Sequence, residues 1–379
     1  MLQMYPNTVD APAILSCKIA IFIDKIQNMK NTAAALVALL MASCSTTSDP
    51  RVTAQDYFPP NSGAMWQQIS LQELGWNAAA ATELANYLEQ KNTKAFIILV
   101  DGKIAIENYF NGHSATSPWY WASAGKTLTT AVTGIAEQEG LLDRSDLVSH
   151  HLGTGWTSAP QEKENLITVT NLLSMNSGLD DTLGDDVSPA NLQYVADAGT
   201  RWAYHNVYVK LQDVVAEASG QAFGAYFNAK LRDRIGMSGT WISNGGLQVY
   251  WSNARSMARF GLLMQRNGKW QDEVIVNPEY LADTTQSSQA LNPAYGYMWW
   301  LNGKSSYMLP QTQFTFSGPI IPTAPSDMYA AMGKNDQKIY VVPSKKMVVI
   351  RMGNTADGSN FALSDFDEVL WEKISALYE

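Results

Sequence analysis

Ala95-Phe96-Ile97-Ile98-Leu99-Val100 is an unbroken apolar run between polar flanks, the pattern of a strand buried on both faces. Asp101-Gly102 follows as a hairpin turn, and Lys103–Phe110 reads as the return strand. Upstream, Ala81, Leu84, Ala85 and Leu88 recur at helical spacing and predict a helix over 78–90. Leu128, Ala131, Val132, Ile135 and Ala136 predict a second helix, which ends at Gly140. Leu141–Val148 and Ile167–Leu179 come next; from Leu179 to about Gly245 the pattern is helical, with Val207–Ser219 and Phe223–Ile235 the clearest pieces, and Ser256–Asn267 predicts another helix. Near the end, Gln337–Val342 and Lys346–Met352 pair as a hairpin about Pro343-Ser344-Lys345, and Ser364–Tyr378 is amphipathic. Strands thus sit near both ends and helices dominate the middle. The economical solution is an α/β fold: one antiparallel sheet built from both chain ends and flanked by helices, with an all-helical domain inserted. The expected division is 66–122 and 246–379 for the α/β part and 123–245 for the helical part.

The start of the chain follows another grammar. Met29-Lys30-Asn31-Thr32 precedes the short apolar run Ala33–Ala42, then Ser43-Cys44 and a polar stretch. A positive start, a short apolar core and small residues make an export signal, too short to stay in a bilayer as a span. Leu40-Met41-Ala42-Ser43-Cys44 resembles a bacterial lipobox, which makes 29–43 the signal peptide and Cys44 the lipidated first residue. Residues 1–28 then read as a leader ahead of a start at Met29, and 44–65 as a polar linker. The implied location is the periplasm on a membrane lipid anchor, and Ser45 favours the outer membrane.

Composition narrows the rest. The 379 residues are 46% hydrophobic and 16% charged, enough for a large core. A net charge of −9 argues against nucleic acid as a partner. In a chain beginning at Cys44 that cysteine stands alone, so neither a disulfide nor a cysteine metal site can form. His113, His150, His151 and His205 lack metal-ligand spacing and read as surface or loop residues.

The candidate chemistry lies in Trp121-Ala122-Ser123-Ala124-Gly125-Lys126-Thr127. Lys126 is one helical turn beyond Ser123, on the same face. A serine hydroxyl needs a neighbouring base, and a lysine serves once burial lowers its pKa. The backbone N–H at a helix start suits a developing oxyanion. Gly125-Lys126-Thr127 also echoes a phosphate loop, but that loop needs a glycine at position 120, which is Tyr.

Three landmarks follow in order: Ser123-Ala124-Gly125-Lys126, then Leu172-Leu173-Ser174-Met175-Asn176-Ser177-Gly178-Leu179, then Gly199-Thr200-Arg201-Trp202-Ala203-Tyr204-His205-Asn206. With the aromatic stretch Tyr295–Trp300 and the final hairpin, this order resembles the penicillin-recognising serine hydrolases. The likeness is to the class C β-lactamase-like branch, which includes esterases, D-aminopeptidases and 6-aminohexanoate-dimer hydrolases. The resemblance implies that Ser123 is the nucleophile, that Lys126 and Tyr204 share proton handling, and that Asn206 orients Lys126 or the substrate amide. A serine on the first helix of the inserted part falls in the cleft between the two parts, where sites tend to form, and no metal or organic cofactor is implied. Two further Tyr-x-Asn matches, at Tyr5 and Tyr226, lack the Gly-x-x-Trp approach. The branch's third motif, Lys/His-Thr-Gly, is missing. The corresponding strand is Ser326–Gly333, with Ala330 and Ala331 the expected contributors of a backbone N–H and Lys334 in the turn beyond. Without that box, a β-lactamase or a D-amino-acid peptidase ranks second to an esterase or amidase. A catalytically idle binding module on the same fold is the rival from another class.

Asp180-Asp181-Thr182-Leu183-Gly184-Asp185-Asp186 adds four carboxylates shortly after the second landmark. If this loop, through Asp181, reaches the cleft, it favours neutral or amine-bearing esters and amides over anionic penicillins and cephalosporins.

Overall fold

Strands from the early and the late part of the described chain pair in the middle of one sheet. The computed structural model describes residues 56–379, apart from 64, 245 and 359–362. The leader at 1–28, the signal at 29–43 and Cys44 lie outside the described residues. Helix α1 (Ala78–Gln90) starts on Asn77, whose Oδ1 accepts the N–H groups of Ala79 and Ala80. Strands β1 (Thr93–Val100) and β2 (Lys103–Tyr109) follow as the expected hairpin. After β3 (Trp119–Tyr120) a 3₁₀ turn, Ala122–Gly125, leads into α2 (Lys126–Gln138). The middle of the chain supplies α3 (Lys210–Ser219), β4 (Thr240–Asn244), β5 (Leu247–Ser252) and α4 (Ala254–Gln265). The last stretch supplies β6 (Trp300–Leu301), β7 (Tyr329–Gly333), β8 (Gln337–Val342), β9 (Met347–Gly353) and α5 (Asp365–Ser375).

The main sheet has the order β2-β1-β9-β8-β7-β6, antiparallel throughout. Helix α4 lies close on one face because Gly261 has no side chain; a Cβ there would stand 2.5 Å from Val348 Cγ1. The other face carries α1 and α5, joined by the stacked rings of Tyr87 and Phe366. Alternation along β8 sends Ile339 towards α4, and Lys338 and Tyr340 towards Asp367 of α5. Lys338 Nζ stands 2.8 Å from Asp367 and 3.3 Å from Asp336, all three buried. Beside them the buried Arg351 guanidinium donates to the carbonyls of Lys91, Asn335, Asp336 and Asn354 and to Thr93 Oγ1. Every arm of the fork has a partner, which offsets the cost of burying it and pins the turn between β7 and β8.

The middle of the chain differs from expectation. The segment 123–245 is not all helical: β4 lies within it, and a boundary at 245/246 cuts the hairpin that β4 forms with β5. With β3 these strands make a second sheet, order β3-β5-β4. The Phe223–Ile235 pattern is α-helical only over Phe223–Phe227, and a π-type turn, Asn228–Arg232, follows. The end of the expected linker is docked as well. Asp56 pairs with Arg266 at 2.6 Å, Phe58 packs on Trp270, and Arg259 donates to Pro60 O. Asp56–Glu379 accordingly packs as one compact unit.

Candidate active site

Ser123 stands where the chain turns from β3 into α2. Ala122, just before it, has a left-handed backbone, φ 47°. A residue with a Cβ adopts that conformation at a cost of ~1–2 kcal/mol, which the surrounding packing must hold. Lys126, at the first position of α2, is only 3% exposed, and its Nζ lies 2.9 Å from Ser123 Oγ. The same Nζ donates to Asn206 Oδ1 at 3.2 Å and sits over the rings of Tyr204 (4.9 Å) and Tyr208 (4.5 Å). Burial pushes the Lys126 pKa down to about 7, and Asp185 partly opposes the shift. Tyr204 is pushed the other way, up to about 12, by burial, with a hydrogen bond to Ser123 pulling it partly back. Its ring is stacked on Trp300 and meets Tyr295 edge-on. Near neutral pH the amine therefore loses its proton before the phenol does.

Asn206 opens the 3₁₀ turn Asn206–Val209 that precedes α3. Its Nδ2 donates to Asp185 Oδ1 at 2.6 Å. A carboxylate only accepts, so this bond keeps the Asn206 amide oxygen turned to Lys126. The neutral amine then spends an N–H on Asn206 and keeps its lone pair for Ser123.

The edge of β7 completes the site. Asn302 N–H donates to Met328 O, so even-numbered residues of this strand direct their polar groups to the β6 edge. Ala330 spends that edge on its ladder with Trp300 of β6, and Ala331 pairs on the other side with Ile339. Both are fully buried, and neither lines the cleft. The expected N–H is therefore not theirs. Beyond β6 the edge is free, and there Gly333 passes so close that a Cβ would stand 2.5 Å from Trp121 O and 3.1 Å from Ser123 N. Lys334 follows as the first residue of the turn and lines the cleft. A backbone N–H from this strand end, set beside that of Ser123, would make an oxyanion site that asks nothing of the side chains.

These groups line a cleft of 810 Å³. Ser123, Lys126, Tyr204 and Asn206 come together in it, and Asp181 is also in its wall. The Asp181 carboxylate, however, is buried against Arg201 Nη2 at 2.6 Å, so it anchors the loop, and Asp185 is the exposed acid of the two. His205 lies in a loop, one of the two places expected for it, but not at the surface: it is 3% exposed and lines the cleft, with its pKa lowered by burial. His113 packs edge-on against Trp119, and His151 lies 3.0 Å from Asp146. Lys334 sits in the turn as expected, but it too lines the cleft. Nothing in the local pattern marks Asp185, since it matters through Asn206, 21 residues away, or His205, whose burial only the fold decides. Among the described residues no group of three or more His, Cys, Asp or Glu side chains could hold a metal ion.

The family model for beta-lactamase matches residues 84–370. Among solved structures, a protein assigned as a 6-aminohexanoate-dimer hydrolase from Bacillus anthracis superposes with a TM-score of 0.62 at 17% identity, covering 84% of this chain and 88% of its own. A beta-lactamase from Mycobacterium bovis gives 0.58 at 18%, covering 78% and 98%. EstCE1, a hydrolase with promiscuous acyltransferase activity, gives 0.61 at 14%, covering 80% and 98%. Among curated proteins no sequence matches the chain. Identities this low speak to the fold, an antiparallel sheet with flanking helices, while the family match spans most of the chain and the site it encloses. The chain belongs to the beta-lactamase family.

Proposed function

We propose that the protein is an exported serine hydrolase that cleaves an ester or amide through an acyl-enzyme on Ser123. One observation carries the reading: the buried Lys126 amine, with its pKa near 7, lies 2.9 Å from Ser123 Oγ. Lys126 takes the Ser123 proton as Oγ bonds to the substrate carbonyl carbon, whose oxygen becomes an anion held by the Ser123 N–H and one from the strand end. The anion collapses, the bond to the leaving oxygen or nitrogen breaks, and that atom takes the proton from the Lys126–Tyr204 pair. Water then attacks the acyl-serine with the same pair as base, releasing the acid and restoring Ser123. Tyr204, protonated at rest, acts as the acid, and the two groups titrate as a unit.

The exposed Asp185 in the cleft wall supports a preference for neutral or amine-bearing substrates over anionic ones. A β-lactam is the second reading, favoured by one observation: the Lys334 side chain belongs to a cleft residue, where a substrate carboxylate could meet it. The lipid anchor at Cys44 and the periplasmic, outer-membrane location rest on the segment 29–45. Labelling with a fluorophosphonate, with a short acyl ester and nitrocefin as substrates, tests the activity. Ser123→Ala should abolish labelling and ester turnover while the protein stays folded. Wild-type turnover in that variant would refute the mechanism, and faster hydrolysis of nitrocefin than of the ester would promote the second reading.

A further inference from the structure

The small sheet β3-β5-β4 carries large apolar side chains on both faces, with Ser243 and Gln248 the polar residues it adds to the cleft. Trp241 and Tyr250, cross-strand partners, point inward and pack against Phe223 and Phe227 at 5.1–5.6 Å between ring centres. Side chains alternate along a strand, so Tyr120 and Thr240, the partners of Trp251, share the other face with Trp251, the pair Ile242↔Val249, and Leu247. An antiparallel sheet with one face on the core normally turns a polar face to water. This one presents Tyr120, Trp251, Val249, Ile242 and Leu247, all of which line the catalytic cleft. Ile242 is 45% exposed. A continuous apolar surface facing solvent beside a nucleophile marks a ligand-binding face.

The face is continuous with the reacting centre. Tyr120 stands three residues before Ser123, its ring 5.5 Å from that of Trp251, and its hydroxyl accepts from Asn335 Nδ2 in the turn that carries Lys334. From Trp251 to Leu247 the strand runs on for ~13 Å at ~3.3 Å per residue. The leaving group must meet the proton of Tyr204, whose ring is backed by Trp300. The part of the substrate that stays bonded to Ser123 is then the part left to lie along the sheet.

We propose that the exposed face of β3-β5-β4 is the acyl-binding wall, and that the substrate is an ester or amide of a medium-chain aliphatic or arylalkyl carboxylic acid. The proposal rests on the acyl-enzyme reading above.

The test is kcat/KM for p-nitrophenyl esters from acetate to octanoate, alongside acetate esters of lengthening alcohols, with fluorophosphonate labelling of Ser123 in parallel. In the wild type kcat/KM should rise about fourfold per acyl methylene over the first few, the worth of burying one CH₂. The alcohol series should rise less. Ile242→Ser should lower the hexanoate-to-acetate ratio at least threefold, and Ile242→Leu should keep it, which separates lost apolar contact from lost folding. A flat or falling acyl series on a protein whose Ser123 is labelled overturns the wall alone. So does a length dependence confined to the alcohol, or an Ile242→Ser ratio equal to wild type. No labelling and no ester turnover sinks the hydrolase reading and this proposal with it.

Discussion

Asp185→Asn isolates one electrostatic influence on Lys126, the proposed general base. Tyr204 and Tyr208, whose rings face Lys126, both have pKa values raised by burial and stay uncharged through neutral pH. His205 has a lowered pKa and is neutral there too. The Asp185 carboxylate is thus the charge that favours the Lys126 ammonium. Hydrogen bonds of 2.6 Å and 3.2 Å on either side of the Asn206 amide place the two charges about 7 Å apart. Asp185 is exposed. At an effective dielectric of ~40–80, such a pair is worth ~0.6–1.2 kcal/mol, or about half to one pH unit. The sign is definite. Removing an anion that stabilises the charged amine lowers its pKa, so the neutral base survives to lower pH. The rising acid limb of kcat/KM should therefore move down by about half to one unit in Asp185→Asn. High salt should move the wild-type limb the same way, because the pair is open to solvent. The assay is ester hydrolysis from pH 5 to 9 at two ionic strengths. A limb that stays in place, or moves up, refutes the charge argument. A fall in kcat without movement of the limb would leave Asp185 only its hold on Asn206.

Two further outcomes follow from the same geometry and from the start of the chain. Gly333→Ala should lower kcat about 10²–10³-fold, the usual cost of an oxyanion donor, since its Cβ would press on Trp121 O and Ser123 N; near-wild-type kcat would remove the strand end from the site. Cys44→Ser should leave an unprocessed precursor in the cell envelope fraction, because in the proposed lipoprotein the sulfur would carry the lipid; a mature N-terminus found elsewhere would end the lipoprotein reading.

What the sequence made legible is what short-range chemistry determines. The Ser123–Lys126 pair lies within one turn, so spacing alone predicts that the two touch, and at 2.9 Å they do. The β1–β2 and β8–β9 hairpins carry their turn residues between apolar runs, and both form close to the expected limits. The identity of the strand donor was beyond that reach. Which N–H of β7 faces the nucleophile depends on ladder register, and the short β6 covers Ala330 but leaves the edge at Gly333 open. Nothing in Ala330-Ala331-Met332-Gly333 records how long a neighbouring strand will be. Asp185 was hidden for a related reason. Four carboxylates in one loop look alike in sequence, and only the fold separates Asp181, spent on Arg201, from Asp185, bound to Asn206.

The hairpin β4–β5 was overlooked for a physical reason that bears on function. A half-buried strand announces itself by alternation, apolar inward and polar outward. Here Trp241 and Tyr250 face the core while Ile242 and Val249 face the cleft, so apolar residues fall on both parities and the period of two disappears. What remains, Trp241-Ile242 and Val249-Tyr250-Trp251, is a set of short apolar clusters that continues the helical texture before it. A strand loses its alternation when both of its faces meet apolar matter. On the inner face that matter is Phe223 and Phe227. On the outer face Leu247 packs partly on the core, but Ile242, Val249 and Trp251 turn to the cleft beside Ser123, with Ile242 45% exposed. The broken pattern that concealed the hairpin is therefore the same fact that points to an apolar acyl group as its missing partner.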